Sequence, residues 1–216
     1  MGARRLVLLR HGRTAWNAER RYQGQADPPL DSVGQAQAMQ VAGLIAAMHP
    51  DLLIASDLLR CRQTVEPIIE MLGRPALFDE RLRERHLGHW QGLTREEVQS
   101  RYPEEFADWI SGRDVFASRG GESRQQVADR ALAVVAQLPP VELIVLVSHG
   151  ATSMCLAAAM LGLPQNPSIL APLANCHWTE LRDVGSGWTL RAHNAGAPGL
   201  VVPLLTPDAD SGDAEA

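Results

Sequence analysis

The stretch RLVLLRHGRTAWN, residues 5–17, joins an apolar segment to a basic end that contains a histidine. The run RLVLLR has the length and the continuous apolar character of a strand buried on both faces. Its end carries Arg10, His11, Gly12 and Arg13. Such an end is either a solvated strand tip or part of a pocket that holds an anion against an imidazole. The rest of the sequence distinguishes between the two.

The segment ELIVLVSHG, residues 142–150, repeats this arrangement, because a buried strand again ends on a histidine and a glycine, His149 and Gly150. DLLIAS at 51–56 predicts another strand, and helix signals alternate with the strands. This order predicts an α/β protein, a three-layer sandwich in which helices cover both faces of a mostly parallel central sheet. The segment 176–194 predicts a hairpin around GSG and therefore an antiparallel edge.

N-cap patterns predict where the helices begin. One helix is expected to start after Ser56 or Asp57 and to end at Gly73. Three further starts are predicted by capping-box pairs, Ser32 with Gln35, Thr94 with Glu97, and Ser123 with Gln126. We expect a single domain over residues 1–205 and an acidic flexible tail at 206–216.

The composition restricts the partners of the protein. The chain has 216 residues and a formal net charge of −5, but four acidic residues lie within the last nine, so the body is almost neutral. This predicts no nucleic-acid partner and no anionic membrane. Three cysteines without C-x-x-C spacing predict neither a disulfide framework nor a cysteine zinc site, which favours a reducing, cytoplasmic setting. No secretion, acylation or membrane-spanning signal is evident, so we expect a soluble protein.

Ligands of such sheets bind beyond the carboxyl ends of the strands, where helix N-termini point their N–H groups outward. This rule gathers the residues that close the strands and open the following loops. We expect a pocket of histidines, arginines and one carboxylate, with the members Arg10, His11, Gly12, Arg13, Arg60, Arg62, Glu84, Arg85, His86, His149 and Gly150.

These residue types suit phosphoryl transfer. The guanidinium forks of Arg10 and Arg60 match phosphate oxygens and stay charged. A neutral imidazole is a nucleophile, and neighbouring arginines favour its neutral form, so His11 suits covalent catalysis. His149 would stabilise the transferring group, and Glu84 would carry the proton of the leaving group, a role that a bound phosphate dianion favours. Because the arginines supply the positive charge, no metal ion or cofactor is expected.

Six motifs occur in the order expected of the histidine phosphatase superfamily, also called the phosphoglycerate mutase-like superfamily, which the chain resembles over about residues 4–194. They are LRHGRTAWN, YQGQADPPL, SDLLRCRQT, RLRERHLGHWQG, GGES and VLVSHG. Six ordered motifs are far more specific than a lone RHG. The resemblance implies a phosphorylated His11 and an acid/base Glu84. It also implies a phosphate pocket of Arg10, Arg60 and His149 with a rim of Asn17, Gln23 and Gly24; Arg13, His86 and Gly150 are further expected substrate contacts.

Two branches of the superfamily compete. Cofactor-dependent phosphoglycerate mutases carry a long insertion with paired arginines between the glutamate and the second histidine, whereas this chain has only about 65 residues there and no Arg-Arg pair. A mutase must also shield its phosphohistidine from water, so a reduced lid favours hydrolysis. ERHLGHWQGLT and LANCHWTEL are similar to glucosyl-3-phosphoglycerate phosphatases, which usually have Gln where this chain has Arg13.

We therefore expect a metal-independent phosphomonoesterase whose partner is a small phosphorylated metabolite, either a sugar phosphate or a phosphoglycerate derivative. The alternatives are a phosphoglycerate mutase and a non-catalytic binding protein.

His86 and His89 have an H-x-x-H spacing without an obvious third metal ligand, which favours a substrate-facing or structural role. Arg62 is either a helix-surface residue or a support of the pocket. Trp90, Trp109, Trp178 and Trp188 are expected to be packing residues and the three cysteines to be buried, and the edge hairpin offers a contact for a homodimer.

Overall fold

The structure is a computed structural model that describes residues 3–116, 120–165 and 169–197. The tail expected at 206–216 lies outside these residues. Six strands form one sheet in the order β3-β2-β4-β1-β5-β6. Their bounds are β1 Arg5–Arg10, β2 Leu52–Ala55, β3 Leu77–Phe78, β4 Leu143–Ser148, β5 Trp178–Asp183 and β6 Trp188–Ala195. Strands β1 to β4 are parallel and the β5–β6 hairpin is antiparallel, so the predicted sheet is confirmed.

Helices cover both faces of this sheet. Their bounds are α1 Ala15–Ala18, α2 Ser32–Ala47, α3 Leu59–Leu72, α4 Arg95–Arg101, α5 Pro103–Ile110, α6 Arg124–Val135 and α7 Gly150–Met160. Along β1, Val7 and Leu9 pack with α2 and α3, whereas Leu6 and Leu8 pack with α6 and α7. All four side chains are buried, and each contributes about 1.5–3 kcal/mol. The central strands therefore read as continuous apolar runs because both of their faces are covered.

Two predicted capping boxes are confirmed, those of Thr94 and Ser123. The predicted box at Ser32 is wrong, because Asp31 caps α2 by accepting the N–H of Gly34 at 2.8 Å. The carboxylate of Asp31 binds the free N–H groups that the Ser32 hydroxyl was expected to bind, so the cap lies one residue before the predicted one.

The start of α3 also differs from the prediction. Its N-cap is Leu58, which makes no side-chain cap, whereas Ser56 or Asp57 was expected. Ser56 instead bonds His149, and Asp57 forms an ion pair with Arg83. The predicted end at Gly73 is confirmed by its left-handed backbone, with φ of 63°.

An aromatic cluster lies beside the carboxyl edge of the sheet, where α4 and α5 pack on the loop that follows Glu84. Trp90, Trp109, Tyr22, Phe106 and Phe116 form its centre. The prediction that Trp90 and Trp109 are packing residues is confirmed, since both are buried there. Within the part of the chain that the structure describes, no helix combines the length and apolar character needed to cross a membrane.

Candidate active site

The parallel register of β1 and β4 places the two His-Gly segments side by side. Arg10 is paired with Ser148, so the residues that follow them, His11 and His149, leave the sheet at the same edge. Their ring centroids are 5.2 Å apart and the rings are inclined by 61°. The predicted convergence of the two strand ends is therefore observed.

His11 is held in one tautomer. Its Nδ1 lies 2.7 Å from the carbonyl oxygen of Gly12, which can only accept, so Nδ1 carries the hydrogen. The lone pair is then on Nε2, which receives the Nε–H of Arg60 at 3.3 Å. Burial, followed by the charges of Arg60 and Arg10, holds the pKa of His11 well below its ordinary value. His11 therefore presents a neutral, nucleophilic Nε2.

His149 faces the same guanidinium. Its Nδ1 accepts the Arg60 Nε–H at 3.2 Å, and its Nε2 lies 2.9 Å from the hydroxyl oxygen of Ser56. Burial and the charge of Arg60 lower the pKa of His149 well below its ordinary value. One N–H of Arg60 thus points between the two imidazoles and orients both.

The other nitrogens of Arg60 hold a loop. Nη1 donates to the carbonyl of Ala26 at 2.7 Å and Nη2 to that of Gly24 at 2.8 Å. Arg10 Nη1 donates to the carbonyl of Leu173 at 2.6 Å. Both arginines are fully buried, so a phosphoryl group that met them would be bound away from bulk water, where charge-assisted hydrogen bonds are strong.

Glu84 lies at the N-terminus of α7 and is fully buried. Its Oε1 accepts the N–H groups of Arg85 at 2.8 Å and Thr152 at 3.0 Å, and its Oε2 accepts that of Ala151 at 3.1 Å. The Thr152 hydroxyl is 3.1 Å from Oε1. The carboxylate is therefore oriented by backbone N–H groups rather than by an arginine side chain.

The expected rim residues are linked to one another. Asn17 closes a capping box with Thr14, whose hydroxyl is 3.0 Å from the side-chain oxygen of Gln23. Gly24 accepts from Arg60, as described above. The guanidinium of Arg13 pairs with Asp31 at 2.8 Å at the start of α2, and its contact with the substrate stays a prediction.

Three further residues that the sequence singled out have the following contacts. The backbone N–H of His86 donates to Oε2 of Glu122, and Nδ1 of its ring accepts the N–H of Gly88. His89 contacts Glu105 at 3.0 Å, so the two histidines of the H-x-x-H pattern do not converge. Arg62 lies on the surface and stacks on Phe78, 4.1 Å from the ring centroid, and so does not enter the pocket. The described residues contain no group of three or more His, Cys, Asp and Glu side chains arranged to hold a metal ion.

Sequence reasoning missed the contribution of the loop before β5. The side-chain amide of Asn175 donates to the carbonyl of His11 at 3.0 Å. The N–H of Cys176 points at the carbonyls of Arg10 and His11, and Cys176 has a left-handed φ of 55°. The block LANCHWTEL contained these residues, but nothing in its pattern indicated that they hold the end of β1. All three cysteines are buried, as predicted.

The chain is similar to known proteins over most of its length. The family model of the histidine phosphatase superfamily (branch 1) matches residues 6–196. A glucosyl-3-phosphoglycerate phosphatase of Mycolicibacterium vanbaalenii is 41% identical over 192 residues, which cover 84% of this chain and 85% of that protein. A protein of Salmonella paratyphi C, named a probable phosphoglycerate mutase, is 38% identical over 197 residues, which cover 86% of this chain and 90% of that protein.

A solved structure is also similar. It is the complex of a mycobacterial glucosyl-3-phosphoglycerate phosphatase with inorganic phosphate, at a TM-score of 0.81 and 37% identity. The match covers 90% of this chain and 98% of that chain. The family model, the relatives and the similar fold all point to the same family: the chain belongs to the histidine phosphatase superfamily.

Proposed function

We propose that the chain is a phosphomonoesterase that hydrolyses a small phosphorylated metabolite through a phosphohistidine on His11. The observation that supports this most strongly is the hydrogen bonding of His11. Its Nδ1–H is bound by the carbonyl of Gly12, which leaves a neutral Nε2 facing the N–H of Arg60. A buried imidazole held in this state beside two buried arginines suits attack on a phosphoryl group that the arginines neutralise.

The reaction has two steps. Nε2 of His11 attacks phosphorus, the bond from phosphorus to the ester oxygen breaks, and Glu84 gives its proton to the leaving oxygen. Water then attacks the phosphohistidine, Glu84 takes a proton from that water, and the P–N bond breaks to release inorganic phosphate and neutral His11. Arg10, Arg60 and His149 stabilise the charge on the transferring group in both steps.

Hydrolysis is favoured over mutase activity by the short segment between Glu84 and His149, and by the similarity to phosphatases. The relative named a probable mutase keeps isomerisation as the second candidate. We infer that glucosyl-3-phosphoglycerate is the first substrate to test, because that compound names the relatives. A panel of phosphorylated sugars, glycerates and nucleotides, with and without a bisphosphate primer, separates the two: a requirement for the primer would favour the mutase.

Substitution of His11 tests the mechanism. His11→Ala should abolish turnover of 4-nitrophenyl phosphate. It should also abolish formation of a labelled phosphoenzyme, because no other nucleophile is proposed. The control is His89→Ala, which removes a histidine bonded to Glu105 outside the pocket and should keep turnover. The wild-type phosphoenzyme should be destroyed by acid and survive alkali, as a phosphoramidate requires. Full activity in His11→Ala, or an alkali-labile linkage, would point to another nucleophile.

A further inference from the structure

The attacking nitrogen and the second histidine face the same space. Nε2 of His11 and Nδ1 of His149 both lie about one hydrogen bond from a single N–H of Arg60, at 3.3 and 3.2 Å. A phosphoryl group bonded to Nε2 of His11 therefore lies against Nδ1 of His149. A phosphoryl oxygen and a bare nitrogen lone pair repel each other, so Nδ1 must carry a hydrogen when the group is present.

In the structure Nδ1 of His149 has no hydrogen of its own, because it accepts from Arg60. The hydrogen of the neutral ring is then on Nε2, where it donates to the Ser56 hydroxyl at 2.9 Å. Burial and the charge of Arg60 keep the ring neutral. Stabilising a phosphoryl oxygen thus requires the other neutral tautomer, in which Nδ1 has the hydrogen and Nε2 accepts.

We propose that Ser56 is a positioning residue that allows His149 to change tautomer between the free and the phosphoryl-bound site. A hydroxyl can accept from Nε2–H and, after rotating, donate to a bare Nε2, which a carbonyl oxygen could not do. Solvent supplies the hydrogen that Nδ1 gains and takes up the one that Nε2 loses, while Ser56 keeps its own hydrogen. The N–H of Leu58 reaches the same hydroxyl oxygen at 3.4 Å and is compatible with both arrangements. The inference rests on the proposed function.

Cys61 is the second side chain, besides Ser56, within reach of Nε2 of His149. Its sulfur is 3.4 Å from Nε2 of His149 and equally far from the carbonyl oxygen of Ser148. Burial raises the pKa of this thiol, so it remains a weak S–H donor. The carbonyl is the better acceptor for that hydrogen, which leaves Ser56 as the group that serves Nε2. Cys61→Ala is therefore the matched control for Ser56→Ala.

Nitrogen-15 NMR of the wild-type protein, with vanadate as the probe of the phosphoryl-bound site, tests the inference directly. The hydrogen of His149 should be on Nε2 in the free protein and on Nδ1 in the vanadate complex. A complex in which Nε2 keeps its hydrogen, or in which both nitrogens are protonated, would overturn the role of Ser56. This measurement needs no substitution, so it remains decisive if a variant does not fold.

Kinetics provide the second measurement. Ser56→Ala should weaken vanadate binding and lower kcat about tenfold, with KM nearly unchanged. In the free site the sulfur of Cys61 can still accept the hydrogen of Nε2, whereas in the phosphoryl-bound site the buried Nε2 is left without a donor. Cys61→Ala should change both values less than threefold. Wild-type kcat in a folded Ser56→Ala protein would refute the inference while leaving phosphohistidine chemistry intact. Absence of turnover and of phosphoenzyme in the wild type would instead refute the proposed function.

Discussion

Replacing Glu84 with Gln separates the proton-donor role of this side chain from its role in packing. The carboxylate accepts three backbone N–H groups, two on Oε1 from Arg85 and Thr152 and one on Oε2 from Ala151. A Gln side chain can keep its oxygen at the Oε1 position, but its NH2 group then faces the N–H of Ala151. A buried N–H without an acceptor costs about 1–3 kcal/mol, and we expect the free energy of unfolding to fall by that amount.

The loss of activity depends on the leaving group. General acid catalysis typically contributes about 10²–10⁴-fold, so kcat/KM of Glu84→Gln for an alkyl phosphate should fall within that range. 4-Nitrophenolate leaves without a proton, and kcat/KM for its ester should fall less than tenfold. This ratio includes only the steps up to release of the leaving group, so the slower hydrolysis of the phosphoenzyme does not enter it.

Steady-state kinetics on both esters, together with urea titration, measure these effects. Glu66→Gln, on the exposed face of α3, is the control and should alter neither kcat/KM nor the free energy of unfolding. Equal losses on the two esters, or an alkyl phosphate turned over at the wild-type rate, would refute Glu84 as the proton donor. An unchanged free energy of unfolding would refute the role of its carboxylate at the start of α7.

Three further results are expected. The pKa values of His11 and His149 are lowered by burial, so the unfolded chain binds more protons than the folded chain below about pH 6.5. The free energy of unfolding should therefore fall between pH 7.5 and 5.5, by at most about 1.4 kcal/mol per pH unit for each histidine, and a pH-independent denaturation midpoint would contradict this. Gly34→Ala should destabilise the protein by about 2 kcal/mol or more in urea titrations, because a Cβ there would overlap the carbonyl oxygen of Arg13. Gly43→Ala is the control: a Cβ there has no atom within 4 Å, so the substitution should stabilise the protein by about 0.5–1 kcal/mol. A Gly34→Ala protein more stable than Gly43→Ala would contradict this packing. Turnover should survive dialysis against EDTA, and an activity that an added metal restores would disprove metal independence.

Local sequence signals predicted most of the elements, but they named the wrong capping residue for two helices. At Thr94 and Ser123 the side chain accepts the N–H three residues later within a complete capping box, and the prediction is confirmed. At Ser56 and Asp57 it is wrong, because both side chains bond residues distant in the chain, His149 and Arg83. A cap is chosen by local geometry only where no tertiary contact offers the same side chain a stronger hydrogen bond.

In the candidate site, too, some residues could be placed from the sequence and others could not. That two strands end on His-Gly was evident from the sequence, and the rule for parallel sheets was enough to bring His11 and His149 together. The positions of Arg62 and His86 were not evident, because a helix or loop residue near a site can point into it or away from it with the same local pattern. Tertiary contacts place Arg62 on the surface, where it stacks on Phe78, whereas the role of His86, whose backbone N–H donates to Glu122, stays a prediction.

By itself, the sequence determined that this is an α/β protein with two histidines at one edge of a parallel sheet, because apolar runs and strand ends are local properties. Only the tertiary structure decided which nitrogen of each histidine bears the hydrogen and what orients Glu84. Those features depend on the hydrogen bonds that His11 makes with the Gly12 carbonyl, that His149 makes with Ser56 and that Glu84 accepts from N–H groups at the start of α7. The packing of the whole sheet brings these partners to within about 3 Å of one another.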